Sequence, residues 1–299
     1  MPFVNAKNLL MDAKERNYCV GYFESWDLES TLAVVRTAEK LKSPVMIGFC
    51  GEYLFNPERA YSEDLFLYGI MLRRIAETAS VPVATLLNEC TNFDYTLRGV
   101  GAGFGMVMFV DDEMPVAQYT SVQQKLVEAA HACDVAVEAE IGALPTANQS
   151  SGARQGGNNT DVELASKFVK DTGVDALSVA VGNVHLLEGV KAQLDLDLIA
   201  SISQKTNVPL VLHGGTGIDK AIFKEAVKCG VAKVNIGTAL KRAVINAYKS
   251  ALTVPDIDKL NPNTILGNGS KTDIQQRAQD AIFVTTASFI RAFGGENKA

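Results

Sequence analysis

Eight short apolar runs recur along the chain, each followed by a helical or turn-rich stretch, and this alternation limits the possible folds more than any other feature. The runs are CVGYF from Cys19, PVMIGF from Pro44, VPVATLL from Val81, FGMVMFV from Phe104, VAVEAEIG from Val135, ALSVAVG from Ala176, VPLVLHG from Val208 and AKVNIG from Ala232. Runs that stay apolar at nearly every position, rather than at every second one, read as parallel strands covered on both faces. Between them Leu28 to Lys42, Ser62 to Ala79, Val116 to Cys133, Asp161 to Gly173 and Asp219 to Gly230 carry helical periodicity, the last two ending on a glycine stop signal. Eight strand-helix units in 299 residues predict an α/β fold, a closed (β/α)8 TIM barrel, as a single domain over 1–299. An N-terminal helix from Ala6 to Arg16 precedes the first strand, and a C-terminal helical extension follows Thr272.

The bulk properties exclude some partners. A formal net charge of -6 gives no electrostatic reason to expect nucleic acid or an anionic membrane, and no apolar run reaches spanning length. Five cysteines without a C-x-x-C pair argue against a disulfide framework, and with no signal-like N-terminus they predict a cytoplasmic protein. Cys19, Cys133 and Cys229 read as small core hydrophobes, whereas Cys50 and Cys90 lie near strand ends. One long polar stretch, Thr146 to Asp161, follows strand five and reads either as a functional loop or as an inert insertion.

In a barrel of this kind the site is built where the strands end. Two of the three histidines stand there, His185 in ALSVAVGNVH and His213 in VPLVLHGGTG, while His131 falls inside a helical segment. Imidazoles at neighbouring strand ends are placed to share one metal ion; the plainer reading has each as a polar residue capping a buried strand. The turn Gly214, Gly215, Thr216, Gly217 presents backbone N–H groups to an anion, and Asn235, Ile236, Gly237, Thr238 opens the next helix with a hydroxyl, as in the phosphate sites of such barrels. Strand ends also bring Glu24, Cys50, Asn88, Glu89, Cys90, Asp111, Asp112, Glu113, Glu138, Glu140 and Asn183 toward the same mouth.

Several of these segments, GYFESWDLE, VPVATLLNEC, VEAEIG, TGVDALSVAVGNVH, VPLVLHGGTGI and KVNIGTAL, resemble the class II, metal-dependent ketose-bisphosphate aldolases nearly from end to end. The resemblance implies a carbon-carbon lyase that cleaves a phosphorylated ketose reversibly to dihydroxyacetone phosphate, or a close analogue, and an aldehyde. It implies that His185 and His213 bind zinc, that Glu140 stands at an alternative or inner metal position, and that Gly214, Gly215, Thr216, Asn235, Gly237 and Thr238 hold the phosphorylated product. It also implies a homo-oligomer, a dimer or tetramer, acting on a small phosphorylated sugar.

The chain departs from the family where strand three ends. Relatives read Asp-His-Gly there, supplying the acid/base carboxylate and the third metal ligand; here the residues are Asn88, Glu89 and Cys90. An amide cannot take up a proton at neutral pH, so Asn88 cannot repeat the aspartate's task. Glu89 remains able to ligate, and a carboxylate beside two histidines suits zinc but also admits Mn2+, Fe2+ or Co2+; it reads alternatively as a base or a solvated carboxylate. Glu24 stands where relatives carry asparagine, and a replacement acid/base is expected from Glu24 or the run Asp111 to Glu113, unless these acids merely decorate loop ends. Two other outcomes fit the residues: a metal-dependent sugar-phosphate isomerase or epimerase, and a non-catalytic aldolase-like partner or phosphosugar-binding subunit.

Overall fold

A computed structural model describes residues 2–142, 146–147, 154–155, 159–184, 191–253 and 257–299. All eight expected strands are present. They are β1 (Val20–Glu24), β2 (Val45–Cys50), β3 (Val83–Cys90), β4 (Met106–Phe109), β5 (Ala136–Ile141), and, after a short antiparallel pair β6 (Thr146–Ala147) and β7 (Arg154–Gln155), β8 (Ala176–Val179), β9 (Leu210–Leu212) and β10 (Val231–Ile236). Parallel pairing closes them into a barrel in the order β1-β10-β9-β8-β5-β4-β3-β2. The helices are α1 (Ala6–Glu15), α2 (Leu28–Leu41), α3 (Gly51–Leu54), α4 (Leu65–Thr78), α5 (Phe93–Gly101), α6 (Val116–His131), α7 (Val162–Thr172), α8 (Leu196–Thr206), α9 (Phe223–Lys228), α10 (Thr238–Leu252) and α11 (Ile274–Ala292).

Local chemistry sets the helix ends. Asp27 accepts from Ser30 N at 2.7 Å while Ser30 Oγ accepts from Asp27 N at 3.1 Å, a reciprocal cap that starts α2. Gly173 closes α7 at φ 74°, a left-handed conformation that favours glycine. The strands alternate between two cores. Phe23, Ile47, Leu87, Val107 and Leu212 face the helices, whereas Tyr22, Met46, Leu86, Met106 and Val211 point into the barrel. Leu9, Leu10 and Ala13 of α1 pack into that inner cluster and close one end of the barrel. The polar mouth is left at the other.

Three expectations change in detail. β3 continues to Cys90, three residues beyond the apolar run, so Asn88 and Glu89 lie within the strand and not just past its end. The segment from Asp219 splits into a short 3-10 turn over Lys220–Ile222 and the six-residue α9. Cys19 is buried as expected, but Cys133 is exposed and Cys229 only half-buried. The reason at Cys133 is its place on the turn between α6 and β5, where Asp134 takes φ 58°.

Candidate active site

At the strand C-terminal end lies a cavity of about 490 Å³. Its wall includes Glu24, Asn88, Glu89, Asp112, Glu140, Gly214, Thr216, Asn235, Gly237, Thr238 and Lys241. His213, directly after β9, is buried behind the wall residues Glu89 and Glu140 with both ring nitrogens engaged: Nδ1 lies 2.6 Å from Glu89 Oε1 and Nε2 lies 3.0 Å from Glu138 Oε1. Burial alone would hold the imidazole below its ordinary value, but Glu89, Glu138 and Glu140 outweigh it and push it up to about 10. In this state both nitrogens carry protons and donate.

Beneath the ring a second pair is sealed inside the barrel. Lys233 and Glu138, both 0% exposed, meet with Nζ 2.7 Å from Oε2. Burial would raise the Glu138 carboxyl, yet the Lys233 ammonium and the His213 ring hold it below the usual carboxylate range. Lys233 also donates to Asn235 Oδ1 at 2.7 Å, and Asn235 Nδ2 donates to Asn88 Oδ1 at 3.3 Å. One continuous network thus runs from Glu89 through His213, Glu138, Lys233 and Asn235 to Asn88.

Glu89 reaches His213 only because the backbone breaks the strand alternation. Ala84, Leu86 and Asn88 share the inward side of β3, so a regular strand would turn residue 89 outward. Instead Glu89 takes φ 47°, and the pairing with β4 shifts between Leu87 and Cys90. A left-handed φ at a non-glycine residue costs of order 1–3 kcal/mol and clusters where function requires it. Two consecutive residues, Asn88 and Glu89, therefore face one cavity.

The opposite part of the wall suits an anion. Gly214 adopts φ 67°, and a Cβ at Gly215 would come within 2.8 Å of both Asn235 O and Ile236 Cδ1, so the turn needs glycine at both positions. Thr216 Oγ1 accepts from Ala239 N at 3.1 Å and ties this turn to the first turn of α10. The N-cap position of α10, Gly237, makes no side-chain cap, so the helix N-terminus remains directed at the cavity with its partial positive charge. Glu24 packs against Gly237, where any Cβ would collide with its carboxylate, and forms an ion pair with Lys241. Burial raises the Glu24 carboxyl, with Lys241 opposing.

The remaining expected residues divide. Glu140 is buried, accepts from Ser178 Oγ at 2.8 Å and lies 3.7 Å from His213 Nδ1; burial pushes its carboxyl up to about 7. Asp112 lines the cavity from the end of β4. Asp111 does not: its Oδ1 accepts from the backbone N–H groups of Glu113 and Met114, both at 3.1 Å, and stabilises the turn. Glu113 is exposed and stands outside the cavity wall. Cys50 approaches Glu89 with its thiol 3.9 Å from Oε2, and Cys90 contacts Asn92 O; neither is paired. His131 is a structural residue at the far end of the barrel, bonded to Asp175 at 2.8 Å. His185 lies outside the described residues.

The match to known proteins spans this architecture. The family model for class-II fructose-bisphosphate aldolase covers residues 4–298. The chain belongs to that family. This class II aldolase is 31% identical over 304 residues to a protein of Bacillus subtilis named "Probable fructose-bisphosphate aldolase", with all of both chains covered. It is likewise 31% identical over 299 residues to a fructose-bisphosphate aldolase of Staphylococcus epidermidis, again over the full length of both. Among solved structures, the YdjI aldolase of Escherichia coli K12 superposes with a TM-score of 0.81 at 26% identity, covering 99% of each chain. The family consists of carbon-carbon lyases and is metal-dependent in general.

Whether the residues of this aldolase fit a metal can be tested on the donor set. Two donors that share a zinc ion at about 2.0–2.1 Å lie roughly 3.3 Å apart in a tetrahedral site. His213 Nδ1 has Glu89 Oε1 at 2.6 Å and Glu140 Oε2 at 3.7 Å, a spread that brackets this spacing. Glu138 on Nε2 is the outer partner that ligating histidines require, because it keeps the proton on Nε2 and leaves Nδ1 as the nitrogen that would exchange its proton for a metal. The described residues alone form no ready cluster of three or more His, Cys, Asp or Glu ligands. One imidazole and two carboxylates nonetheless converge, and the donor chemistry fits.

Sequence reasoning missed Lys233, Lys241 and the outer-partner role of Glu138. A signal existed for two of them: Lys233 and Asn235 are two apart in AKVNIG, as Glu138 and Glu140 are in VAVEAEIG, and a charged residue inside an apolar strand needs a buried partner.

Proposed function

We propose that the protein is a metal-dependent aldolase of phosphorylated ketoses in which His213 and Glu89, with Glu140 beside them and His185 expected as a further ligand, hold a divalent ion, zinc foremost. The observation that supports this most is the convergence of Glu89 and Glu140 on His213 Nδ1 while Glu138 fixes Nε2. Bound there, such an ion would supply a Lewis acid for the substrate ketone and for the negative charge left on its oxygen when the carbon-carbon bond breaks. The phosphate sits on the amides of Gly214 to Gly217 and the N-terminus of α10, where Thr238 adds a hydroxyl.

Glu24 is the proton acceptor in this reading. It lines the cavity, and burial raises its carboxyl above the ordinary carboxylate value, which makes it a stronger proton acceptor than a solvated glutamate. Glu24→Gln is expected to lower kcat by about 10²–10⁴-fold with the fold intact, since the amide cannot take a proton. An unchanged kcat assigns the proton transfer elsewhere.

The described wall carries the carboxylates Glu24, Glu52, Glu89, Asp112 and Glu140 against one ammonium, Lys241. Like charges brought together cost several kcal/mol, so this wall favours a substrate with one phosphate and a hydroxylated far end. A chelator is expected to abolish cleavage and zinc to restore it, with kcat/KM larger for a ketose 1-phosphate than for the 1,6-bisphosphate. Full activity in the metal-stripped protein, or the reverse substrate ranking, overturns the corresponding part of the reading.

The cellular site follows the same reasoning. The described cysteines are free, and no described helix is long and apolar enough to cross a membrane, which supports a cytoplasmic protein. Tyr61, Phe66, Leu67 and Ile70 are exposed on and before α4, which supports assembly into a dimer or tetramer; sedimentation would read the state.

A further inference from the structure

The network under the cavity has a polarity. Lys233 Nζ can only donate, and it donates to Glu138 Oε2 and to Asn235 Oδ1, each at 2.7 Å. The oxygen of Asn235 is thereby turned toward the lysine, and its Nδ2 toward Asn88. That Nδ2 donates to Asn88 Oδ1 at 3.3 Å. With its oxygen committed, Asn88 has Nδ2 left over, and among the described residues this group has no hydrogen-bond partner although Asn88 lines the cavity. Flipping Asn88 would set two NH2 groups against each other, and flipping Asn235 would set an NH2 group against the ammonium.

We propose that Asn88 is a catalytic residue that donates a hydrogen bond from Nδ2 to a substrate carbonyl or alkoxide oxygen, its amide held in that orientation by the positioning residues Asn235 and Lys233. The identity of the oxygen rests on the aldolase reading; the direction of the donor does not. The site then treats residue 88 as a charge-stabilising donor where the family resemblance implied a proton acceptor. Removal of one such preorganised donor costs about 10²–10³-fold in kcat.

Four variants test it: Asn88→Ala, Asn88→Asp, Asn235→Asp, and Asn88→Ala combined with Asn235→Asp. In Asn235→Asp one carboxylate oxygen still accepts from Lys233 while the other faces Asn88, which must turn its NH2 group away from the cavity. With zinc-loaded enzyme and fructose 1-phosphate as probe, Asn88→Ala and Asn235→Asp are each expected to lower kcat by about 10²-fold, Asn88→Ala with little change in KM. Asn235→Asp should cost almost nothing further in the Asn88→Ala background, because the donor it misdirects is already gone.

A second readout does not depend on turnover. In protein labelled with 15N-asparagine, the side-chain NH2 signal of Asn88, assigned by its loss in Asn88→Ala, should shift when dihydroxyacetone phosphate is added, and should not shift in Asn235→Asp. If that shift appears while no ketose phosphate is cleaved, the aldolase reading fails and the donor assignment stands. The assignment is overturned by an Asn88→Asp variant at or above wild-type kcat, by an NH2 signal indifferent to the ligand, or by an Asn235→Asp penalty that is undiminished in the double variant.

Discussion

Lys233→Met is expected to destabilise the folded protein by about 3 kcal/mol, because it takes the Lys233 cation from the buried Glu138 carboxylate and leaves the His213 ring as its remaining charged partner among the described residues. The pair is 0% exposed on both sides, so no water replaces the lost partner. Methionine matches the stem of lysine closely, which leaves the ionic loss as the main effect rather than a cavity. Denaturant unfolding of the metal-free protein measures it. The companion variant Lys233→Met with Glu138→Leu removes both charges of that pair and is expected to recover part of the stability, since apolar replacements of a buried ion pair are often neutral or better while the His213 Nε2–H loses its acceptor. Metal affinity should not recover with it. His213 Nε2 will have lost its outer carboxylate, and loss of such a partner typically costs about 10–100-fold in metal affinity or activity. Recovery of both quantities together would show that Glu138 serves stability alone.

The contrast between those two residues and the strand-end histidines shows what the sequence made legible. Eight apolar runs and their helical spacers were sufficient to predict the barrel, because a parallel strand covered on both faces leaves an unbroken apolar signature. The turn at Gly214 and Gly215 was legible for a local reason: the two stand where a left-handed φ and a close backbone approach demand glycine. Lys233 was not, because its partner lies 95 residues away on β5 and only barrel closure brings the two together. Asp111 misled for the opposite reason. Its place at a strand end looked catalytic, yet a short side chain beside free N–H groups of a turn satisfies those first. Glu89 was named as a ligand without any means of seeing how it would face inward, since its orientation depends on a backbone angle rather than on composition.

That angle separates the structural from the chemical role of residue 89. Glu89→Gly is expected to abolish tight metal binding and to leave the metal-free protein more stable than Glu89→Ala, because both lose the ion pair with the buried His213 ring while only glycine relieves the left-handed backbone. Glycine adopts φ 47° without the left-handed strain of order 1–3 kcal/mol that a side chain bears there, but it loses more conformational freedom on folding, by roughly 0.4–1 kcal/mol. Glu89→Ala keeps the strain and also removes the ligand, so it should be the less stable of the two. Both variants should lower metal affinity by more than the roughly 10–100-fold that follows loss of an outer partner, since a group in direct contact with His213 Nδ1 is gone. Competition with a chromogenic chelator reads the affinity, and denaturant unfolding of the metal-free forms reads the strain. If Glu89→Gly binds zinc as tightly as the parent, Glu89 is not a ligand, and its left-handed backbone would serve only to set the carboxylate against the His213 ring.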